Sequence, residues 1–378
     1  MVSRLAAILL AGTLIGGPSA ARADDDAIEG SVIFARGSSL YRTDPRGRAE
    51  TELAKLPAKV TVRALRVDAN GAVLLVDLAG KWAWMPLDGS SKALTELPCA
   101  DGPAQLAEDG ASVVCRSPRV ASQSIVVDLT QKASPGLEIN VPPGSVRPIG
   151  TGVERRFVWA DATGVWTAPA FDPKRKTRIA PDAPLRGFLP SPDGTRGLGV
   201  YADQVFSDPH RTQPAEVLMT VQLDGQGAKR KAIRDGVAVE WSRDAQWILL
   251  QDGASACIMR ATGGQYKCWK GFTAAAISSD GHWGLVLGNR DGSKKQAPSK
   301  PTTSKPARPA EPAKAWDKID EPSDEPEAGE PQPAGDDVSV APPSGPLALY
   351  RVRLDGAFTD RPALIVKVVD GAAVWVPR

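Results

Sequence analysis

The chain has 378 residues, with 46 Lys and Arg against 44 Asp and Glu and a formal net charge of +2. This balance leaves no basic excess to hold a phosphate backbone, which argues against nucleic acid as a partner. Hydrophobic residues make up 42% of the chain, enough to build a core, while 36 Gly and 33 Pro favour turns over long helices.

The N-terminus has the pattern of a secretory signal. Arg4 precedes an apolar run, Leu5–Gly17, that is too short to span a bilayer. A small-x-small triplet then ends at Ala23, so residues 1–23 are predicted to be a signal peptide cleaved before Asp24. A buried apolar helix is the alternative. No later stretch of sequence is apolar enough to span a membrane, and we expect a periplasmic or secreted chain.

After the signal, short alternating runs cut by Asp-Gly, Asn-Gly and Pro predict short strands. The clearest unit, Leu65–Leu97, reads as four strands joined by Asn-Gly, Gly and Asp-Gly turns, which is one propeller blade. Weaker copies follow, and one of them, near Ser145, has no Asp-Gly. The first turns of the copies are placed at Asp68, Asp109, Asp193, Asp244 and Asp280.

The two ends complement each other. Ser31–Asp44 resembles the second and third strands of a blade whose inner strand is missing, and Val368–Arg378 contains a strand left over after the last full blade. Pairing them would close the ring and remove its exposed edges. We therefore predict an all-β fold, a β-propeller of four-stranded blades closed by its N- and C-terminal strands, with seven blades, or six as the alternative.

Four cysteines in an exported chain suggest two disulfides, with three possible pairings. If Thr262-Gly263 is a two-residue hairpin turn, Cys257 lies directly opposite Cys268, close enough to bridge. Cys99 and Cys115 are then left to pair. Four buried free thiols are the alternative, and the spacing does not fit a zinc site.

The two histidines are His210 and His282. His282 follows Asp280-Gly281 in SSDGHWGLVLGNRDG, where acid, histidine and glycine together could form a site. Thr195 and Gln246 occupy the same slot in other copies, which indicates a turn position instead. No nucleophile, phosphate-loop or zinc-protease motif occurs. We expect no catalytic residue, cofactor or metal ion.

Two long connections are predicted between second and third strands. Residues 293–345 are Pro-rich and split by charge, with a basic part followed by an acidic part, and are predicted to be a disordered insert. They divide the propeller into 24–292 and 346–378, the latter holding the end of the last blade and the ring-closing strand. The other connection, at about 202–213, contains the candidate binding residues Asp208, His210 and Arg211. Both should rise from one face and flank the sixth blade.

The segments SPDGTRGLGVY, EWSRDAQWILLQ and ISSDGHWGLVL resemble the TolB-type, WD40-like propeller repeat. LYRTDPRG and LYRVRLDG are similar to its later segment. The resemblance implies a propeller over most of 31–378, without the α/β domain that precedes the propeller in TolB. It implies nothing about TolB's place in an envelope system.

These features predict an exported, non-catalytic and monomeric propeller that binds an unknown protein or cell-envelope component through its loop-bearing face. The rival is a propeller enzyme or carbohydrate-binding protein with a site at the central channel mouth, where Trp could stack on a sugar. A purely structural envelope part is a third possibility.

Overall fold

The computed structural model describes residues 28–131, 134–203, 215–223, 231–234, 236–263, 266–289, 347–354 and 361–378. These residues form seven four-stranded antiparallel sheets and one 3-10 turn, Gly152–Glu154. The prediction of a seven-bladed, all-β propeller is confirmed, and the six-bladed alternative is wrong. The predicted signal 1–23, the insert 293–345 and the loop residues Asp208, His210 and Arg211 lie outside the described residues.

The blades follow one another in chain order, and each runs from an inner strand at the ring axis to an outer one. Blade 1 contains β28 (Ala373–Val376), β1 (Ser31–Arg36), β2 (Ser39–Thr43) and β3 (Thr51–Lys55). Blade 2 contains β4 (Val62–Val67), β5 (Val73–Leu78), β6 (Lys81–Pro86) and β7 (Thr95–Glu96); blade 3 contains β8 (Ala104–Leu106), β9 (Ser112–Arg116), β10 (Ser124–Asp128) and β11 (Leu137–Ile139). Blade 4 contains β12 (Arg147–Ile149), β13 (Arg156–Asp161), β14 (Gly164–Pro169) and β15 (Thr177–Ala180). Blade 5 contains β16 (Arg186–Pro190), β17 (Arg196–Asp203), β18 (Ala215–Gln222) and β19 (Lys231–Arg234). Blade 6 contains β20 (Val237–Trp241), β21 (Trp247–Asp252), β22 (Ser255–Arg260) and β23 (Tyr266–Lys270); blade 7 contains β24 (Phe272–Ile277), β25 (Trp283–Asn289), β26 (Leu347–Arg353) and β27 (Ala363–Val369).

The core consists of seven apolar clusters, each lying between two neighbouring blades. Successive side chains of a strand point to opposite faces of its sheet, and each face packs against one of the two adjacent blades. Both faces of most middle strands are therefore buried. Six of the described tryptophans serve this packing and are 6% exposed or less: Trp82, Trp159, Trp241, Trp247, Trp269 and Trp375.

Ring closure occurs as predicted. The last strand, β28, is the inner strand of blade 1 and pairs antiparallel with β1, with Val32 opposite Trp375 and Phe34 opposite Ala373. Phe34 and Trp375 join Leu285 and Leu349 of blade 7 in one apolar cluster. The closing strand therefore connects blade 7 to blade 1 by packing as well as by backbone hydrogen bonds.

The repeated first turn has a common geometry in five blades. In blade 7 the N–H of Gly281 donates to Ser278 O (3.0 Å), and Gly281 has a φ of 72°, which glycine adopts without steric cost. Asp280 Oδ1 accepts from the N–H of His282 at 3.0 Å. We call the residue in the place of Ser278 the turn anchor; the five anchors are Asp68, Ala107, Ser191, Ser242 and Ser278.

One sequence assignment needs correction. Asp109, Asp193, Asp244 and Asp280 all lie two residues after their anchor, whereas Asp68 is itself the anchor of blade 2. Its carboxylate accepts the N–H of Val73 at 2.7 Å, the bond that a serine hydroxyl accepts in blades 5, 6 and 7. Aspartate can replace serine there because both offer an acceptor oxygen at short reach.

The two faces of the ring differ in what connects the strands. Within each blade, the connections from the first strand to the second and from the third strand to the fourth lie on one side of the ring, which we call the turn face. The connections from the second strand to the third, and from the fourth strand to the next blade, lie on the other side, which we call the loop face. β17 ends at Asp203 and β18 begins at Ala215, while β25 ends at Asn289 and β26 begins at Leu347. Both long connections thus leave from the loop face, on either side of blade 6, as the sequence predicts.

Both disulfides are present, Cys257–Cys268 and Cys99–Cys115. Cys257 and Cys268 face each other in the register of β22 and β23, as the hairpin count predicts. Asp252 lies beside this pair in a group that could hold a metal ion, but the two sulfurs are bonded to each other. The described residues contain no helix whose length and hydropathy would let it cross a lipid bilayer.

Candidate functional site

The inner strands surround a channel of about 920 Å³ on the ring axis. Each inner strand runs from the loop face to the turn face, so the residue just after each turn anchor reaches the same mouth. All five such residues line the channel: Ala69, Glu108, Pro192, Arg243 and Ser279. We call this opening, with the inner-strand residues directly below it, the turn-face mouth.

Three further charged side chains line the channel directly below the five residues of the turn-face mouth. Arg66 of β4 and Glu240 of β20 occupy equivalent positions, two residues before their anchors, and Arg147 belongs to β12. All three line the channel and are partly buried. With Glu108 and Arg243, they bring three guanidinium and two carboxyl groups to one end of the ring.

Burial raises the carboxyl pKa values of two glutamates at this mouth, Glu240 and Glu108. It raises the pKa of the Glu240 carboxyl, and the N–H of Ile277 together with the charges of Arg66 and Arg147 only partly offset this. Glu240 Oε2 accepts that N–H at 3.0 Å, which ties blade 6 to blade 7. Burial also raises the pKa of Glu108, against the opposing effects of Arg147 and Arg243. Part of each carboxyl population is therefore expected to stay protonated at a pH where exposed glutamates are ionised.

Arg147 has a lowered guanidinium pKa and takes part in none of the ion pairs found among the described residues. Burial lowers the pKa of its guanidinium, and Glu240 and Glu108 oppose this shift from a distance. Nη1 donates to Pro190 O at 3.2 Å. The ion pairs found among the described residues do not include Arg147. Its fork of donors is thus largely available to a group entering the channel.

Arg243 crosses the turn-face mouth. Its Nη1 donates to Ala69 O at 2.7 Å, joining the turn of blade 6 to that of blade 2, with blades 7 and 1 between them. The N–H of Ala69 in turn donates to Glu108 O in blade 3 at 2.9 Å. A second hollow, which Glu29, Asp280 and Arg378 help to line, shares Ala69 and Arg243 with the channel. Arg243 therefore narrows the mouth and faces both cavities.

The sequence-predicted residues fall elsewhere. His282 is exposed in its turn, which confirms its interpretation as a turn position. The predicted loop residues Asp208, His210 and Arg211 lie outside the described residues. Sequence reasoning missed Arg66, Glu108, Arg147, Glu240 and Arg243. For Arg66 and Glu240 the available signal was a charged residue inside an apolar inner strand, as in VAVEW, two residues before a turn anchor.

Replacing Glu240 with glutamine is expected to raise stability at about pH 8, by about 1 kcal/mol, and to leave it unchanged at about pH 4. Because the carboxyl pKa is raised in the folded chain, the folded state holds this proton more tightly than the unfolded state does. Stability is therefore lost as pH rises from the unfolded-state pKa through the folded value, and glutamine removes that loss while its amide oxygen still accepts the N–H of Ile277. Urea unfolding at both pH values measures the difference.

The control is Glu154→Gln, since Glu154 is exposed on the 3-10 turn. It should change stability at neither pH. A lower stability of Glu240→Gln at the higher pH would contradict the prediction, because it would mean that attraction to Arg66 and Arg147 outweighs burial.

Comparison with known proteins gives matches among solved structures. No protein-family model matches the chain, and no curated protein matches it. TolB from Acinetobacter baumannii is 11% identical with a TM-score of 0.43, and the match covers 62% of each chain. A nidogen/laminin complex is 12% identical with a TM-score of 0.43, covering 64% of this chain and 93% of that one. A putative TolB from Agrobacterium tumefaciens is 13% identical with a TM-score of 0.41, covering 64% and 88%. The propeller that the TolB-type resemblance implies is present in the seven four-stranded sheets of the described residues.

Proposed function

We propose that this chain is an exported, non-catalytic β-propeller that binds another protein or a cell-envelope component, with the turn-face mouth as its binding surface. The observation that carries the proposal is the convergence of Arg66, Glu108, Arg147, Glu240 and Arg243 at one end of the channel. All of these residues except Arg243 are partly buried, and partly buried charges stabilise a fold weakly at best. A partner that brings complementary charges offsets their desolvation, and such complementarity favours specificity.

The two disulfides support export. Disulfides persist in oxidising compartments such as the periplasm and the extracellular space, and are rare where thiols are kept reduced. With the predicted signal peptide at 1–23, they favour a periplasmic or secreted location.

The loop face has a separate part in the proposal. The segment between Asn289 and Leu347 leaves it from blade 7, and that between Asp203 and Ala215 leaves it from blade 5. The charge-split sequence of 293–345 offers a partner both basic and acidic stretches, so we assign it the role of an arm that contributes to capture at this face.

A second candidate is a propeller enzyme or carbohydrate-binding protein with its site in the same channel. It is favoured by the raised pKa values of Glu108 and Glu240, because a protonated carboxyl can act as a general acid. The tryptophans argue against a sugar platform. Trp241 and Trp375 line the channel but are 2% and 4% exposed, and the Trp241 indole N–H donates to Leu189 O at 3.0 Å. Neither offers an open ring face at the mouth.

Site-specific photo-crosslinking in intact cells tests the proposal. A photoreactive phenylalanine analogue at Ser279, on the turn-face mouth, is expected to give a defined adduct that mass spectrometry identifies. Arg243→Glu should abolish it, because the substitution reverses the charge at the rim. At Ala58, exposed on the loop face, adducts should change when residues 294–343 are deleted while the melting temperature stays the same.

The matched control carries the same analogue at Leu137, an exposed position on the outer strand of blade 3. The proposal is contradicted if Leu137 and Ser279 give the same adducts, or if the Ser279 adduct survives Arg243→Glu. Turnover of a glycan or peptide that Glu240→Gln abolishes would establish the enzyme instead.

A further inference from the structure

Blade 4 differs from its neighbours on the turn face. Its first turn has no Asp-Gly and forms the 3-10 turn Gly152–Glu154 instead. This turn holds Val153 outward with 88% of its surface exposed. The next connection on the same face, between β14 and β15, holds Phe171 with 75% exposed. Among the described residues these are the two most exposed large hydrophobic side chains.

The two connections form one ordered projection. The N–H of Ala170 donates to Arg155 O at 2.8 Å, which joins the loop carrying Phe171 to the turn carrying Val153. Two successive bonds then shape the loop, from the N–H of Asp172 to Pro169 O and from the N–H of Arg175 to Asp172 O, both at 3.1 Å. Phe171 is therefore held away from the core by backbone geometry.

Three consecutive cations accompany the apolar pair. Lys174, Arg175 and Lys176 are exposed in the same loop. The ammonium group of Lys176 lies 4.6 Å from the centroid of the Trp166 ring, a cation–π contact. Glu154 and Asp172 are the acidic residues of the two connections. We call Val153, Phe171 and Lys174 to Lys176 the blade 4 projection.

We propose that the blade 4 projection docks this propeller on an anionic lipid surface. Its charge complements that of acidic headgroups, while Phe171 and Val153 are placed to enter the boundary between headgroups and acyl chains. Lysine and arginine stems can reach back from that depth to the phosphates. An acidic protein would pair with the cations but would leave two protruding apolar side chains in water unless it also supplied a pocket.

Docking in this way would fix the orientation of the ring. The projection and the turn-face mouth lie on the same face, so a docked propeller turns its charged channel opening toward the lipid. Asn289 and Leu347, the strand ends on the loop face of blade 7, would lie on the side of the ring away from the lipid. The blade 4 projection and the turn-face mouth are separate surfaces. A failure of lipid docking would therefore leave the proposed binding of a partner at the mouth untouched, and the reverse also holds.

Co-sedimentation of the full chain with lipid vesicles tests the inference. Binding is expected to phosphatidylcholine vesicles with about 30% phosphatidylglycerol at about 50 mM salt, and not to phosphatidylcholine alone. Replacing Lys174, Arg175 and Lys176 together with glutamine should weaken binding about a hundredfold, since each cation near the surface contributes about fivefold. Val153→Ser with Phe171→Ser should weaken it about tenfold or more.

Matched controls lie on other surfaces. Leu137→Ser removes an exposed apolar residue from blade 3, and Arg119→Gln removes an exposed cation from the loop face. Neither should change binding, and thermal melting verifies that every variant folds. Absence of binding to the anionic vesicles at low salt overturns the inference. So does binding that depends on the three cations but not on Val153 and Phe171.

Discussion

Trp375→Ala is expected to lower the free energy of unfolding by about 3–5 kcal/mol. Trp375 is 4% exposed in β28, and its cluster contains residues of blade 7 and blade 1. The substitution therefore opens a cavity at the only junction where the chain's first and last strands meet within the described residues. Equilibrium unfolding in urea, followed by tryptophan fluorescence, measures the loss.

Two variants sharpen this test. Trp375→Phe keeps much of the ring volume and should lose clearly less stability than Trp375→Ala. Trp283→Ala removes a partly buried tryptophan that borders the same cluster without belonging to the closing strand, and it should also cost less. Equal losses in the free energy of unfolding for Trp375→Ala and Trp283→Ala would mean that packing of the closing strand contributes no more to stability than other packing in this cluster.

Removing either disulfide is expected to cost about 3 kcal/mol, and removing both about twice that. The two bonds close short loops, with sequence separations of 16 and 11 residues. Cys99–Cys115 joins the connection before blade 3 to β9, and Cys257–Cys268 lies within blade 6. Sites so far apart share no partners, so their contributions should add. Since a folded domain has a net stability of about 5–15 kcal/mol, the doubly reduced chain should be close to unfolding.

Alanine pairs provide the measurement. Cys257→Ala with Cys268→Ala, Cys99→Ala with Cys115→Ala, and the fourfold variant are compared in urea with and without reductant. Alanine avoids placing a hydroxyl at Cys257, which is fully buried. Reductant should destabilise the parent and leave the fourfold variant unchanged. A parent that is insensitive to reductant after verified thiol exposure would refute the prediction.

The fold could be predicted because its determinants are local and repeated. Each copy of Ser-x-Asp-Gly carries its own hydrogen bonds, from the anchor hydroxyl to the aspartate and from the glycine N–H to the anchor carbonyl. The turn at Thr262-Gly263 fixes the register of β22 and β23, and with it the partner of Cys257. A blade lacking one strand at the start and a spare strand at the end then leave one way to close the ring.

The turn-face mouth could not be predicted in the same way. Arg66 and Glu240 come from blades 2 and 6, far apart in sequence, and lie on one channel only once the ring is closed. Nothing in the sequence near Arg243 indicates that its guanidinium reaches Ala69 across the opening. The acidic residues of turns also obscured the signal, because Glu108 lies beside Asp109 and resembles one more turn carboxylate. Local patterns specify the blades, whereas the site depends on their assembly.

The pairing of β28 with β1 also sets the order of events in time. Closing so long a stretch of chain adds little to the free energy of the finished ring, since the entropic cost grows only with the logarithm of its length. It does delay folding, because contacts between distant residues form slowly. Until β28 arrives, β1 presents an unpaired edge containing Ile33 and Phe34, which are fully buried in the closed ring. An open ring should therefore be the slow-maturing species during folding, and the one most exposed to misassociation with a second chain.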